Sequence, residues 1–570
     1  MKRTFRRTRG SMLVPLALVL LAAAPAAAQE EKAAATSPAA DIARLLEFYN
    51  RAATIRMTGP ARIAAGTEIV GDVGVVNGPF VIEGRIRGRV VVLNGDVRFA
   101  PGARIIGDLT VAGGAILGLD SATVTGTVLR YRKPVQYRED DGRLVAVVPE
   151  EAPVIAAGHD FPFGRTDLLL ATWRGYNRVE GLPVAIGPRF QTRSRNPTRA
   201  SALLIYRTES GFEPDADELG YVLRLEQFLG GRRIVRLGAT LHSEIVPIEA
   251  WGLSDRENSL STFLFHRDYR DHYEREGWSA YLRIAPPGQP HELTIEYRDE
   301  RHRSVRANAP PAILGDDDWR RQPLVAEGTL RTLALRLGYD TRNAGGHPTA
   351  GWYIRAEVER GLGGSLALGG TCAFPVEPEG FCLAASRSAG TEFAAGLADV
   401  RRYARVGPQS WLAVRALFAT SLNDRPLPPQ RQHALGGEGS LPGYDHYRFD
   451  CGARAAVAPA APDFFPYYGC DRLALVQIEY QAAFPFGHDW GRKLGWDLDL
   501  GGTPAWVVFF DAGRAWTERV ALGGRTPGQD DFAADAGAGF RLGSLGLYWA
   551  IPLSGRDEGV NFFVRFGARL

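Results

Sequence analysis

Apolar and polar residues alternate along much of the C-terminal two thirds of the chain. In GWYIRAEVER (Gly351–Arg360), Trp352, Ile354, Ala356 and Val358 share one face; Tyr353, Arg355, Glu357 and Glu359 share the other. The same period of two sets Trp278, Ala280, Leu282 and Ile284 against Ser279, Tyr281 and Arg283. It sets Leu333, Leu335, Leu337 and Tyr339 against Thr332, Ala334, Arg336 and Gly338. It also sets Ala474, Val476, Ile478 and Tyr480 against Leu475, Gln477, Glu479 and Gln481. Period two predicts half-buried strands. A soluble sandwich and a transmembrane barrel both show it. Three features favour the barrel. The runs are near the nine to eleven residues that cross a bilayer when tilted (about 10). Trp278, Trp352 and Trp516 are placed as an interfacial aromatic girdle would require. Arg and Glu crowd the polar face, which suits a wet lumen better than a dry core. The final run, VNFFVRFGARL, puts Phe562, Val564, Phe566, Ala568 and Leu570 on one face and predicts a closing strand at the C-terminus, without a free edge.

The texture before the strands is different. Asp41–Arg51 has helical spacing, with Ile42, Leu45, Leu46 and Tyr49 on one side. From Gly59, glycines at 71, 74, 78, 84, 88, 95, 102 and 107 punctuate short Val/Ile pairs. Very short strands turned at regular intervals suit a parallel β-helix, whose coils bury their apolar residues only by stacking. A small antiparallel β domain is the alternative. Residues 133–180 read as a linker, charged and Pro-containing at its start.

At the N-terminus, Lys2, Arg3, Arg6, Arg7 and Arg9 precede the apolar run Met12–Leu21 and the small residues Ala26–Ala28. This is the pattern of a secretory signal peptide over residues 1–28. That segment holds five basic and no acidic residues, so its removal takes the formal charge from +3 to −2. A basic nucleic-acid binder is thereby excluded. No later run reaches the roughly 18 apolar residues of a spanning helix, so a membrane protein of this sequence has to be a barrel. The chain has four cysteines. In an oxidising compartment they are expected to pair locally, Cys372 with Cys382 and Cys451 with Cys470, although four cysteines allow three connectivities.

No G-x-S-x-G, H-E-x-x-H, C-x-x-C or P-loop occurs. The densest polar cluster is HRDYRDHYERE (His266–Glu276). It offers a metal or acid–base reading, but its spacing fits no standard metal site, and a ladder of lumen charges is simpler. GDDDW (Gly315–Trp319) has carboxylates for Ca²⁺, but a solvated loop is the simpler reading. No enzyme activity, cofactor or metal is assigned.

Several stretches together resemble a family. YDTRNAGGHPTAGW (Tyr339–Trp352) resembles the strand–turn–strand of BamA/TamA-type outer-membrane assembly barrels, with Asp340, Arg342, Pro348 and Gly351 matching. IEYQAAFPF (Ile478–Phe486), FFDAGRAW (Phe509–Trp516), Ala536–Leu553 and the last strand follow in the family's order. Upstream, Tyr176–Phe190 resembles the lead-in to a first strand. LGGEGSLPGYDHYRF (Leu435–Phe449) falls where the family has its sixth extracellular loop: Gly436, Gly437, Leu441, Pro442, Gly443 and Tyr444 stand at its Gly-Gly and Arg-Gly-Phe/Tyr elements. The β-helix region, 59–132, resembles the bactofilin-like polymer-forming domain and stands where POTRA domains would be.

The resemblance implies an all-β fold. A linker with a short helix (29–58) and the β-helix domain would precede a 16-stranded transmembrane barrel over 181–570. The β-helix domain would lie in the periplasm, and both cysteine pairs would lie in outer loops. It also implies a loop-six arginine bound to Asp511 on the lumen wall. Pro442 occupies that arginine's place, so another cation is expected at Asp511: Arg448 first, or Arg415. Partners would be outer-membrane lipid and a periplasmic protein or cell-wall component at the β-helix. The function implied is movement or insertion of a polypeptide or lipid. A structural anchor is the alternative, and a hydrolase using the His266–Glu276 cluster is a third reading.

Overall fold

The computed structural model describes residues 38–131, 134–135, 137–140, 143–146, 154–209, 219–230, 233–286, 289–308, 310–315, 319–343, 348–368, 388–407, 410–423, 425–449, 451, 464–466, 469–484, 504–517, 532–542, 545–554 and 559–570. The signal-peptide expectation and the Cys372–Cys382 pair lie outside the described residues.

The Gly-punctuated region is a parallel β-solenoid. Its strands stack into three sheets, one of five strands from Ile55–Thr58 to Val128–Tyr131 and two of four. All pairings are parallel, so the antiparallel alternative is wrong. The solenoid starts at Ile55, slightly before the expected 59. Val73, Val75, Phe80, Ile82, Ile86, Val90, Val92, Val97, Ile105 and Val111 fill its interior. Helix α1 (Pro38–Asn50) covers the outside of the five-stranded sheet, with Leu46, Phe48 and Tyr49 on Val76, Val91 and Leu93. That second layer explains why all four residues of Val90–Leu93 are buried, where one face of a strand is usually wet.

Glycines form a column at one corner. A Cβ on Gly95 would overlap the Gly78 carbonyl of the coil before it, and one on Gly114 would overlap that of Gly95. The neighbouring atoms are backbone and cannot rotate away. Gly95→Ala should therefore cost about 1–3 kcal/mol or more, read in the full chain as lost amide-exchange protection across residues 73–112. Unchanged protection there would show that the coils are not stacked this closely.

The remaining strands form one antiparallel sheet. They are β1 (Val154–Phe161), β2 (Gly164–Thr172), β3 (Val184–Thr192), β4 (Thr198–Tyr206), β5 (Leu219–Leu229), β6 (Val235–Pro247), β7 (His272–Ile284), β8 (His291–Ser304), β9 (Ala326–Asp340), β10 (Gly351–Leu368), β11 (Ala394–Gly407), β12 (Ser410–Ser421), β13 (Arg472–Ala483), β14 (Ala505–Trp516), β15 (Ala533–Leu542), β16 (Leu545–Pro552) and β17 (Asn561–Phe566). Each pairs with the next, and Ser388–Ala389 adds a short rung on β10. Among the described residues the sheet thus has seventeen main strands, where sixteen were expected. It begins at Val154, inside the stretch read as linker.

Apart from the long connection between β13 and β14, shorter and longer connections alternate along the sheet, so most long loops gather at one end. Helix α2 (Asp255–Phe265), capped by the Ser254 hydroxyl, lies in the β6–β7 loop. Two loop segments, Gln322–Leu324 and Phe464–Pro466, pair in parallel. At the short-turn end the solenoid meets the β9–β10 turn, where Asn94 Nδ2 donates to the Asn343 carbonyl at 3.2 Å.

The C-terminus departs from the expected closing strand. β17 stops at Phe566, and residues 567–570 turn inward. Gly567 makes the turn at φ 144°, a conformation that favours glycine. Leu570 packs on Tyr403 and Ala413 of β11 and β12, and Arg569 is buried. Ala568 and Leu570 therefore do not continue the outward face of Phe562.

Candidate functional site: the wall and the plugged lumen

The wall has the polarity of a soluble protein turned inside out. Leu225 and Leu337 are 55% and 51% exposed on its outside, and Leu168, Ile186, Leu204, Trp352, Val476, Phe510, Phe540 and Trp549 are also exposed. Inside, Arg415, Glu479, Asp511 and Asp535 are at most 2% exposed. Along β13 the two sets alternate, Val476 and Ile478 out, Gln477 and Glu479 in. Only a solvent of hydrocarbon makes this arrangement favourable. The sheet is a transmembrane β-barrel.

Loop six, between β12 and β13, reaches into the barrel. Its arms are joined by bridges at His433–Cys470, Leu435–Phe449 and Gly437–Leu441. Gly436 and Gly437 turn the chain at φ 117° and 84°. Leu441 and Tyr444 then pack on Leu473, Leu475, Ala515 and Ala533 of the wall. The tip is held by specific bonds. Gln477 Nε2 donates to the Ser440 carbonyl at 2.9 Å, and Asn561 Nδ2 donates to that of Pro442 at 3.3 Å. Gly443 N–H donates to Asp535 Oδ2 at 2.7 Å, and Tyr444 O–H donates to the Ala534 carbonyl at 2.9 Å. A side chain at 443 would meet Asp535 Cβ at 2.7 Å, so the tip needs glycine there. The structure brings Gly436, Gly437, Leu441, Pro442, Gly443 and Tyr444 together as one inserted tip.

The cation at Asp511 is neither of the two expected. Arg569 from the inturned tail binds it, Nη1 to Oδ2 at 2.6 Å, and binds Glu479 at 2.7 Å with Nε. The guanidinium also lies 4.0 Å from the centre of the Phe509 ring. Arg415 is two strands away in the same row: it pairs in register with Gln477, and Gln477 with Asp511. Asp399 holds it at 2.8 Å, and it also donates to Gln477 and to the Trp251 carbonyl. Arg448 stays in the loop, its N–H donating to the Asp445 carbonyl. The sequence signals for Arg569 were an inward aspartate in need of a cation and a glycine two residues before an arginine.

A second layer ties the loops to the last strand. Glu257 on α2 pairs with Arg565 of β17, and Arg565 Nη1 donates to the Glu438 carbonyl at 3.0 Å. The Tyr269 hydroxyl bonds the Glu438 carboxylate. Farther out, Arg178, in the β2–β3 loop, is fully buried between Asp268 at 3.2 Å and Asp271 at 2.6 Å. This accounts for the His266–Glu276 cluster. Only His272 onward is strand; His266 stacks on Trp319, and the two aspartates clasp a loop arginine. Among the described residues no group of three His, Cys, Asp or Glu side chains is arranged to hold a metal ion.

Two loop carboxyls carry a pH dependence. Burial pushes Glu438 up to about 7, against Tyr269, Arg565 and Arg267, and pushes Glu180 up to about 7, against Arg207, Asn177 and Arg174. A folded pKa above the unfolded one contributes stability below the unfolded pKa and loses it as pH rises through the folded value. The loop layer should therefore resist proteases better at pH 6 than at pH 8. Equal cleavage at both would contradict the assignment.

Cys451 and Cys470 form a disulfide that closes the outer part of loop six over a separation of 19 residues. Cys451→Ser with Cys470→Ser should cost about 2–4 kcal/mol, seen as a lower unfolding midpoint under non-reducing conditions. An unchanged midpoint would mean that the bond does not constrain the loop.

No family model and no curated protein matches this chain. Solved structures similar to it include BamA from Haemophilus ducreyi lacking POTRA domains 1–3, with 16% identity and a TM-score of 0.41 over 72% of this chain and 70% of that one. CdiB from Escherichia coli has 13% identity and a TM-score of 0.32 over 76% and 68%. CdiB from Acinetobacter baumannii has 10% and 0.30 over 76% and 65%. The likeness is one of fold; the plugging of the lumen is described by this chain's own contacts.

Proposed function

We propose that this chain is an outer-membrane barrel of the BamA/TamA superfamily that moves or inserts a polypeptide or lipid without covalent chemistry. The observation that supports this best is the way the lumen is filled. Loop six and the tail are inserted segments: hydrogen bonds and ion pairs hold their tips, beside a small apolar patch where Leu441 and Tyr444 meet the wall. A weak seam between first and last strands, gated by loop six, is what the resemblance implies as the working part. The solenoid would stand on the periplasmic side, where the Asn94–Asn343 contact puts it against a short turn.

The mature chain should fractionate with outer membranes and change mobility on heating in detergent; solubility without detergent would sink the proposal. Depleting it should remove one class of protein or lipid from the outer membrane. A second reading has its own support: two faces of the solenoid are left uncovered by α1 and are available to a periplasmic or cell-wall partner. Deleting residues 55–131 separates the two. Altered envelope shape with unchanged outer-membrane content would favour a structural anchor.

A further inference from the structure

An odd number of strands has a geometric consequence. Every neighbouring pair in the wall is antiparallel, so β1 and β17 run in the same direction while β2 and β17 run in opposite directions. Among the described residues no ladder joins β17 to β1 or to β2. The seam therefore presents two unpaired edges, and in hydrocarbon each unpaired backbone group costs several kcal/mol. Antiparallel pairing is also the more stable kind per residue. β2 and β17 are suited to each other, and β1 occupies the edge between them.

β1 is unlike the other staves. On β2, Leu168 and Leu170 face out while Asp167 and Leu169 face in. On β17, Phe562 faces out while Phe563 and Arg565 face in. In β1, Ala157, Gly158, His159 and Asp160 are all exposed. Its register places His159 opposite Thr166, on the face that carries Leu168, so its imidazole stands on the outward face close to the turn, as that of His291 does on β8. The ladder with β2 also slips between Ile155 and Ala157. At the turn end side chains add to the ladder: Asp160 pairs with Arg165 and Arg193, and Phe161 stacks on Phe163.

We propose that β1 is a resident ligand of the β2 edge rather than a stave of the barrel. When it peels away from its Val154 end, β17 pairs antiparallel with β2 and closes a sixteen-stranded wall. This rests on the membrane-barrel reading and is independent of any client. β1 would thereby keep the seam open and couple it to the chain that leads back to the solenoid.

The test replaces residues 154–161 by an eight-residue Gly-Ser segment, which preserves reach but holds no ladder, and follows amide exchange in lipid nanodiscs. The amides of 561–566 should gain about tenfold or more in protection, with β9 (326–340) unchanged. Unchanged exchange at 561–566 would overturn the proposal. So would loss of protection in β9, since the barrel would then need β1 as a stave. Failure of the membrane-barrel reading looks different: β9 in the unaltered chain would be protected equally well with no lipid or detergent present.

Discussion

Replacing Arg569 with alanine should open the lumen and destabilise the barrel by about 3–5 kcal/mol, the cost of leaving a buried charge without its partner. Arg569 is the shared cation of Glu479 and Asp511, and Asp535 lies beside Asp511 in register. Without it, three carboxyls face one another around the loop-six tip. Asp535 is also the acceptor for the Gly443 N–H, so the anchor of the tail and the anchor of the loop are adjacent. Two readouts should therefore move together. The midpoint of heat-modifiable mobility should fall, and loop six should become cleavable by protease added from outside. Arg569→Lys should restore only part of the effect, because one ammonium cannot reproduce the fork that spans two carboxylates. Loss of stability with loop six still protected would mean that tail and loop are anchored independently.

The second large effect is expected at Arg178. Its guanidinium sits between Asp268 and Asp271 with no solvent access, and its Nε donates to the Arg320 carbonyl at 2.8 Å. Arg178→Ala should cost about 3–5 kcal/mol, but the damage should be local. The β2–β3, β6–β7 and β8–β9 loops would lose their common clasp while the wall keeps its ladders. Amide exchange should accelerate across 254–271 and 310–315 and remain slow in β9 and β10. Unfolding of the whole wall, or no change in the loops, would each contradict that assignment. Asp268→Asn with Asp271→Asn in the same chain should recover part of the loss, since neutral amides do not leave a charge stranded.

The wall was legible in the sequence because its physics is local. Trp352, Val358, Leu335, Leu337, Val476 and Ile478 lie outside as their period of two requires. The solenoid was legible from glycines spaced as coils. β1 was missed because Ala157–Asp160 carries no alternation, and only the hydrogen bonds to β2 make it a strand. The loop-six tip was expected, by resemblance, to be an inserted segment, and Leu441 and Tyr444 pack on the wall. Its cation was not, because Arg448 and Arg415 were chosen for closeness in sequence or on the wall. Arg569 reaches Asp511 from 58 residues away through a turn at Gly567, and nothing periodic announces a strand that stops. Likewise, the pairing of Arg178 with Asp268 and Asp271 spans loops that the sequence keeps about ninety residues apart.

The central claim is that the apolar outside of this wall faces lipid while its charged inside encloses loop six and the tail. Tryptophan quenching by bilayers with brominated acyl chains tests it directly, because bromine quenches only indoles that it touches. Trp278, Trp352, Trp506 and Trp549 project outward, 44%, 41%, 37% and 42% exposed, and Trp516 shares the face of Trp506, whereas Trp251 lies inside, its carbonyl bonded to Arg415. Reconstituted protein should be strongly quenched, and a variant with those five outward tryptophans changed to phenylalanine should lose most of that quenching. Strong quenching that persists in the variant, or none in the unaltered chain, would contradict the account.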